Sequence, residues 1–101
     1  VFRPAPGVRH NYAYLPVTFA AEEFGASRDD VYAALMAVDI HPRKYFYPLV
    51  SDYGCYAGRF DSGQTPVARR AADEVLTLPM YADLRDDQVD RICDVVLSAR
   101  G

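Results

Sequence analysis

Lysine occurs once in these 101 residues, and cysteine and histidine twice each. Each shortage excludes something. Two cysteines, Cys55 and Cys93, cannot build a disulfide framework, and reduced thiols in a cytoplasmic protein are the expectation. His10 and His41 lie far apart, and the cysteines form no CxxC pair, so nothing has the spacing of a metal-ligand set. Positive charge is also scarce. The net charge is −3, and among the arginines only Arg69 and Arg70 adjoin, which leaves no basic field to gather nucleic acid. No apolar run approaches the ~20 residues that span a bilayer, so no membrane partner is expected either.

What is present is ordinary globular material, 50% apolar and 25% charged. At this length it makes one domain with a modest core. Residues 1–9 carry two prolines and a glycine and are expected to be a linker or entry arm, with the domain itself over 10–101. Asn11 to Phe19 is aromatic and β-branched and reads as a strand, held at an edge by Pro16. Ser27 then caps a helix, with Asp30 in place to complete a capping box. Val31, Ala34, Leu35 and Val38 give that helix an apolar stripe, and it should stop near Val38 or Asp39, before Pro42.

Arg43 to Pro48 reads as a second, aromatic strand. Leu49 to Gln64 is a long loop. Thr65 is expected to cap a second helix, with Pro66 at its first position and Val67, Ala68, Ala71 and Ala72 on a small-residue packing face. Val75 to Pro79 is a short buried strand. The last helix runs from about Asp86 to Ser98, with Val89, Ile92, Cys93, Val96 and Leu97 on one face. The expected fold is therefore α+β, two layers, with a small and mainly antiparallel sheet of about three strands covered by about three helices.

Few of these residues promise chemistry. Cys93 falls on an apolar helix face, where a buried inert thiol is the usual reading, and no base is tied to Cys55. Gly25-Ala-Ser27 and Gly63-Gln-Thr65 precede helices without the glycine density of a phosphate cradle. Lys44, beside Arg43, lacks the desolvated setting that makes a lysine form imines, so a solvated or loosely paired side chain is expected. Strand alternation would set Arg43, Tyr45 and Tyr47 on one face and Lys44 and Phe46 on the other. A guanidinium with two phenols suits a hydroxylated or phosphorylated ligand. The ordinary alternative, tyrosines packed in a core with satisfied hydroxyls, stays open.

The segments Asp39-Ile-His-Pro-Arg-Lys-Tyr-Phe-Tyr-Pro-Leu49 and Leu78-Pro-Met-Tyr-Ala-Asp-Leu84, followed by an acidic final helix, resemble the DegT/DnrJ-type nucleotide-sugar aminotransferases. His10-Asn-Tyr-Ala-Tyr-Leu-Pro-Val17 is similar to the strand at which that family's small domain begins. The resemblance covers nearly the whole chain. It implies the C-terminal small domain of a fold-type-I enzyme dependent on pyridoxal phosphate. Such enzymes pass an amino group, typically from glutamate, to a keto-sugar carried on a nucleotide.

On that basis Arg43, Tyr45 and Tyr47, and also Asn11, become candidate substrate contacts on the sugar side of a cleft. Val50 stands where many members have a histidine, so one polar contact is missing. The family's cofactor-bearing lysine, ring-nitrogen carboxylate and phosphate turns belong to its large domain. The resemblance therefore implies no catalytic or cofactor-binding residue here, pyridoxal phosphate in the parent enzyme and a large domain as partner; without that domain the face it covers is expected to be exposed and to drive self-association as a homodimer. A freestanding, non-catalytic binding or regulatory domain of the same fold is the alternative.

Overall fold

Pro16 sits where a missing N–H does no harm. The strand β1, Leu15–Thr18, pairs antiparallel with β2, Val75–Leu78, and Pro16 lies opposite Thr77. Thr77 turns its backbone the other way: its N–H donates to the Arg43 carbonyl (2.8 Å) and its carbonyl accepts from the Arg43 N–H (2.9 Å). Pro16 therefore occupies a non-hydrogen-bonded position on the outer edge, as the sequence suggested. The ladder resumes on its far side, where the Phe19 N–H donates to the Glu74 carbonyl at 2.9 Å.

The computed structural model describes residues 1–101. Four helices accompany the two strands: α1 (Ala21–Phe24), α2 (Arg28–Met36), α3 (Pro66–Glu74) and α4 (Asp86–Ser98). Val31 and Leu35 of α2, Ile92 of α4, Leu76 of β2, Phe19 and Ala26 form the core, and Val17 and Leu78 pack against it from the same face of the sheet. The other face carries Pro16, Thr18, Val75 and Thr77.

The α+β class and the antiparallel pairing agree with the sequence reading, but the sheet has two strands and not three. The segment Arg43–Pro48 is not a strand. Only Arg43 bridges to Thr77, and the chain then turns at Tyr45 and Phe46, where Phe46 is left-handed with φ 58°. Strand propensity of aromatics expresses packing more than backbone preference, and here other contacts win.

Other expectations also need correction. The first strand begins at Leu15, not Asn11. The helix count is four, because α1 was not foreseen. Helix α2 ends at Met36, two residues short of Val38, and the chain beyond it turns left-handed at Asp39, φ 62°. The capping box is present: the Asp30 N–H donates to Ser27 Oγ (3.1 Å) and the Ser27 N–H to Asp30 Oδ2 (2.9 Å). Thr65, by contrast, caps nothing with its side chain, because its hydroxyl donates back to the Ser62 carbonyl at 3.2 Å. On α3 only Ala72 is buried, while Val67, Ala68 and Ala71 face outward. Cys93 is exposed and not buried. The segment from Leu49 to Gln64 holds three short 3₁₀ turns, tied to α3 by the ion pair of Arg69 with Asp52 (2.7 Å).

Candidate functional site

The pairing that fixes Pro16 also builds a cleft. Carried one step past Leu15–Leu78, the ladder sets Tyr14 beside Pro79, and the Arg43–Thr77 bridge brings the following turn to the same sheet end. The result is a concavity of about 410 Å³, lined among others by Tyr14, His41, Arg43, Tyr45, Met80 and Tyr81. A second hollow of about 340 Å³, reaching to Leu84, Gln88 and Arg91, shares His41, Pro79 and Tyr81 with it. Volumes of this size are in the range of small-ligand sites.

Tyr14 and Tyr45 meet edge to face, with centroids 5.4 Å apart, and make a flat wall. Arg43 is exposed beside them, and none of the molecule's ion pairs includes it. Its backbone is held at two points and its guanidinium is uncommitted, which suits a ligand with phosphate or vicinal oxygens. At the rim His41 Nε2 lies 2.8 Å from Asp39 Oδ1.

Of the four candidates taken from sequence, Arg43 and Tyr45 line this cleft, and Tyr47 and Asn11 do not. Asn11 is exposed ahead of β1, where its Oδ1 accepts from the Ala13 N–H at 3.1 Å. Tyr47 lies under the Arg28 guanidinium, 4.7 Å from its ring centroid, with Lys44 Nζ 5.9 Å away. The expected alternation fails because the segment turns. Lys44 and Tyr47 therefore share one cluster and Arg43 and Tyr45 another.

Lys44 is more firmly paired than expected. Its Nζ is 2.6 Å from Asp29 Oδ1 and 4.5 Å above the Tyr32 ring. The hydrogen bond from Lys44, then that from Arg28, outweighs burial and holds the Asp29 carboxyl below its ordinary range. A lysine nitrogen engaged by a carboxylate and an aromatic face is not presented as an imine-forming nucleophile. No group of three or more His, Cys, Asp or Glu side chains is placed to hold a metal ion.

Sequence reasoning assigned no substrate contact to Tyr14, His41 or Tyr81, and no role to Arg28. The first three come from separate segments, and only the register brings them together. Arg28 carried no signal at all, since a cation at a helix N-terminus reads as a solvent-exposed accident.

A model of the DegT/DnrJ/EryC1/StrS aminotransferase family matches residues 2–97. Two curated relatives carry the name dTDP-4-amino-4,6-dideoxy-D-glucose transaminase. The one from Escherichia coli is 39% identical over 89 residues, covering 86% of this chain and 24% of its own length. The one from Shigella dysenteriae is 33% identical over 86 residues, covering 85% of this chain and 23% of its own. The chain thus spans about a quarter of the curated relatives it matches. No solved structure matches it.

Proposed function

The chain belongs to the DegT/DnrJ/EryC1/StrS aminotransferase family, and from that premise we propose that it is the C-terminal small domain of an enzyme transferring an amino group to a nucleotide-linked keto-sugar. The observation that carries this is the joint presence of a family match over 2–97 and a cleft walled by Arg43, Tyr45 and Tyr14. Arg43 offers paired donors to the oxygens of a phosphate or sugar, and the tyrosines give a flat face with hydroxyl tips. Tyr47 and Asn11 stay candidates only where the rest of the polypeptide, or its closure, brings substrate to them.

The residues of this chain do not fit a pyridoxal phosphate site. Its single lysine is committed to Asp29 and Tyr32. In this reading the cofactor and its lysine belong to the part of the polypeptide that the relatives have and this chain does not span. The apolar strip of Cys93, Val96 and Leu97 beside Val17 is then covered by the rest of the polypeptide, and in the isolated chain it is the surface through which a homodimer forms.

The test is an amino-transfer assay on the polypeptide that includes both parts. It uses glutamate as donor and, following the relatives' names, a dTDP-linked 4-keto-6-deoxyhexose as first acceptor. Turnover is expected there, and neither turnover nor bound pyridoxal on the 101 residues alone. A stoichiometric lysine adduct on the isolated chain overturns the assignment of the cofactor. Binding of the nucleotide-sugar without turnover supports the alternative, a non-catalytic binding or regulatory domain of the same fold.

A further inference from the structure

The turn that carries Arg43 and Tyr45 into the cleft has little backbone support. Arg43 makes the bridge to Thr77, but no backbone hydrogen bond ties down Lys44 through Pro48. Phe46 is left-handed and 86% exposed, a conformation that a bulky side chain holds only when its flanks are fixed. Side chains must therefore do the fixing.

They do so through Arg28. This residue opens α2, at the positive end of its dipole, and yet it is only 3% exposed. Its Nη1 donates to the carbonyls of Ala72 (3.1 Å) and Val75 (3.3 Å), joining α2 to the α3–β2 junction. Its Nε donates to Asp29 Oδ1 at 2.6 Å, and the same oxygen holds Lys44 Nζ at 2.6 Å. Its guanidinium covers the Tyr47 ring. One buried cation thus reaches the turn twice, through Tyr47 directly and through Asp29 to Lys44.

We propose that Arg28 is a positioning residue for the cleft: it clamps the turn 43–48 from behind, so that Arg43 and Tyr45 are held in place before any ligand arrives. That the cleft receives a nucleotide-sugar rests on the function proposed above, whereas the clamp can be measured without ligand. Arg43 and Thr77 bond only to each other across the bridge, so their amide exchange reports whether the turn is docked. The Phe19 amide, bonded to Glu74 at the far end of the ladder, is the control.

The experiment is amide hydrogen exchange on the full chain, with the Tyr14–Tyr45 ring contact followed by NMR. Arg28→Met and Lys44→Met are each expected to speed exchange at Arg43 and Thr77 about tenfold and to weaken the ring contact, with Phe19 unchanged. Lys44→Arg, which keeps the cation on Asp29, is expected to behave as wild type. Unchanged exchange at Arg43 and Thr77 overturns the proposal. So does equal acceleration at Phe19, which would make Arg28 a general strut. If Arg28→Met does not fold, Lys44→Met, altering a partly exposed side chain, yields the same two outcomes. Loss of the clamp's signature leaves the aminotransferase assay untouched, and failure of that assay leaves the clamp.

Discussion

Asp29 holds two cations on one oxygen, and that has a pH signature. Its carboxyl titrates below the ordinary value because Lys44 and then Arg28 favour the ionised form. A depressed folded pKa means that the unfolded chain binds more protons between the two values, so stability rises with pH there. The contribution is present above the unfolded carboxylate pKa of about 3.9 and fades as pH falls through the lower folded value. Asp30 adds to the same window, its carboxyl lowered chiefly by the hydrogen bond from the Ser27 hydroxyl. Acid unfolding of wild type is therefore expected to steepen below about pH 4, and Asp29→Asn to flatten that part of the curve; identical curves would count against it. Arg43 is exposed and in no ion pair, so its substitution bears on the proposed function more than on stability. On the function proposed above, Arg43→Ala in the polypeptide that includes both parts is expected to lower kcat/KM for the nucleotide-sugar roughly 10- to 100-fold, the range for losing a hydrogen bond to a charged partner. The reaction with the amino donor should be unaffected, which stopped-flow measurement of each half-reaction can check.

Among the elements, α2 is the best specified. Its capping box satisfies donors at both ends of the Ser27–Asp30 pair, and Val31 and Leu35 are fully buried. Ser27→Ala is expected to cost about 1 kcal/mol, lowering Tm by roughly 4–8 °C in a domain of this size, as calorimetry would show. Helix α4 divides by exposure. Ile92 is buried in the core while Leu97 is 55% exposed, so Ile92→Ala should cost about 2–5 kcal/mol and Leu97→Ser within about 0.5 kcal/mol in the isolated chain. Denaturant melts of both variants decide this. Helix α3 contributes little to the core, with Ala72 its single buried residue, and is secured by Arg69 to Asp52 and Ser62 instead.

At the scale of the whole molecule the chain is open. Its accessible surface is 7502 Å², against about 5,700 Å² for a compact monomer of this mass. Its radius of gyration is 15.5 Å, where roughly 13 Å is usual. Only 10 of 101 residues are buried, too few to cover both the sheet and the helices that pack on it. The groove between β1 and α4, about 400 Å³ and lined by Val17, Phe24, Ile92, Cys93, Val96 and Leu97, is the apolar part of that excess. Exposed apolar surface of this kind finds partners. The chain alone is expected to self-associate as its concentration rises, and sedimentation velocity showing a clean monomer at high concentration would contradict this. On the function proposed above, alkylation of Cys93 should slow in the polypeptide that includes both parts relative to the isolated chain, while that of Cys55 should not.

The elements with strong local signals were legible in the residues. Ser27 and Asp30 announced α2, the acidic start and apolar stripe announced α4 to its ends, Val75 to Leu78 was found as a strand, and Pro16 marked an edge. Those features depend on interactions within a few residues, so the sequence determines them by itself. The aromatic segment was misread because its fate depends on partners far away: Thr77 captures Arg43, and Asp29 and Arg28 draw Lys44 and Tyr47 out of any strand register. Tertiary structure alone decided that Arg43 joins Tyr14 and Tyr45 while Tyr47 does not, and that a cation at the wrong end of a helix is buried. The physical reason is that side-chain direction in a turn follows long-range contacts, whereas caps and stripes follow spacing.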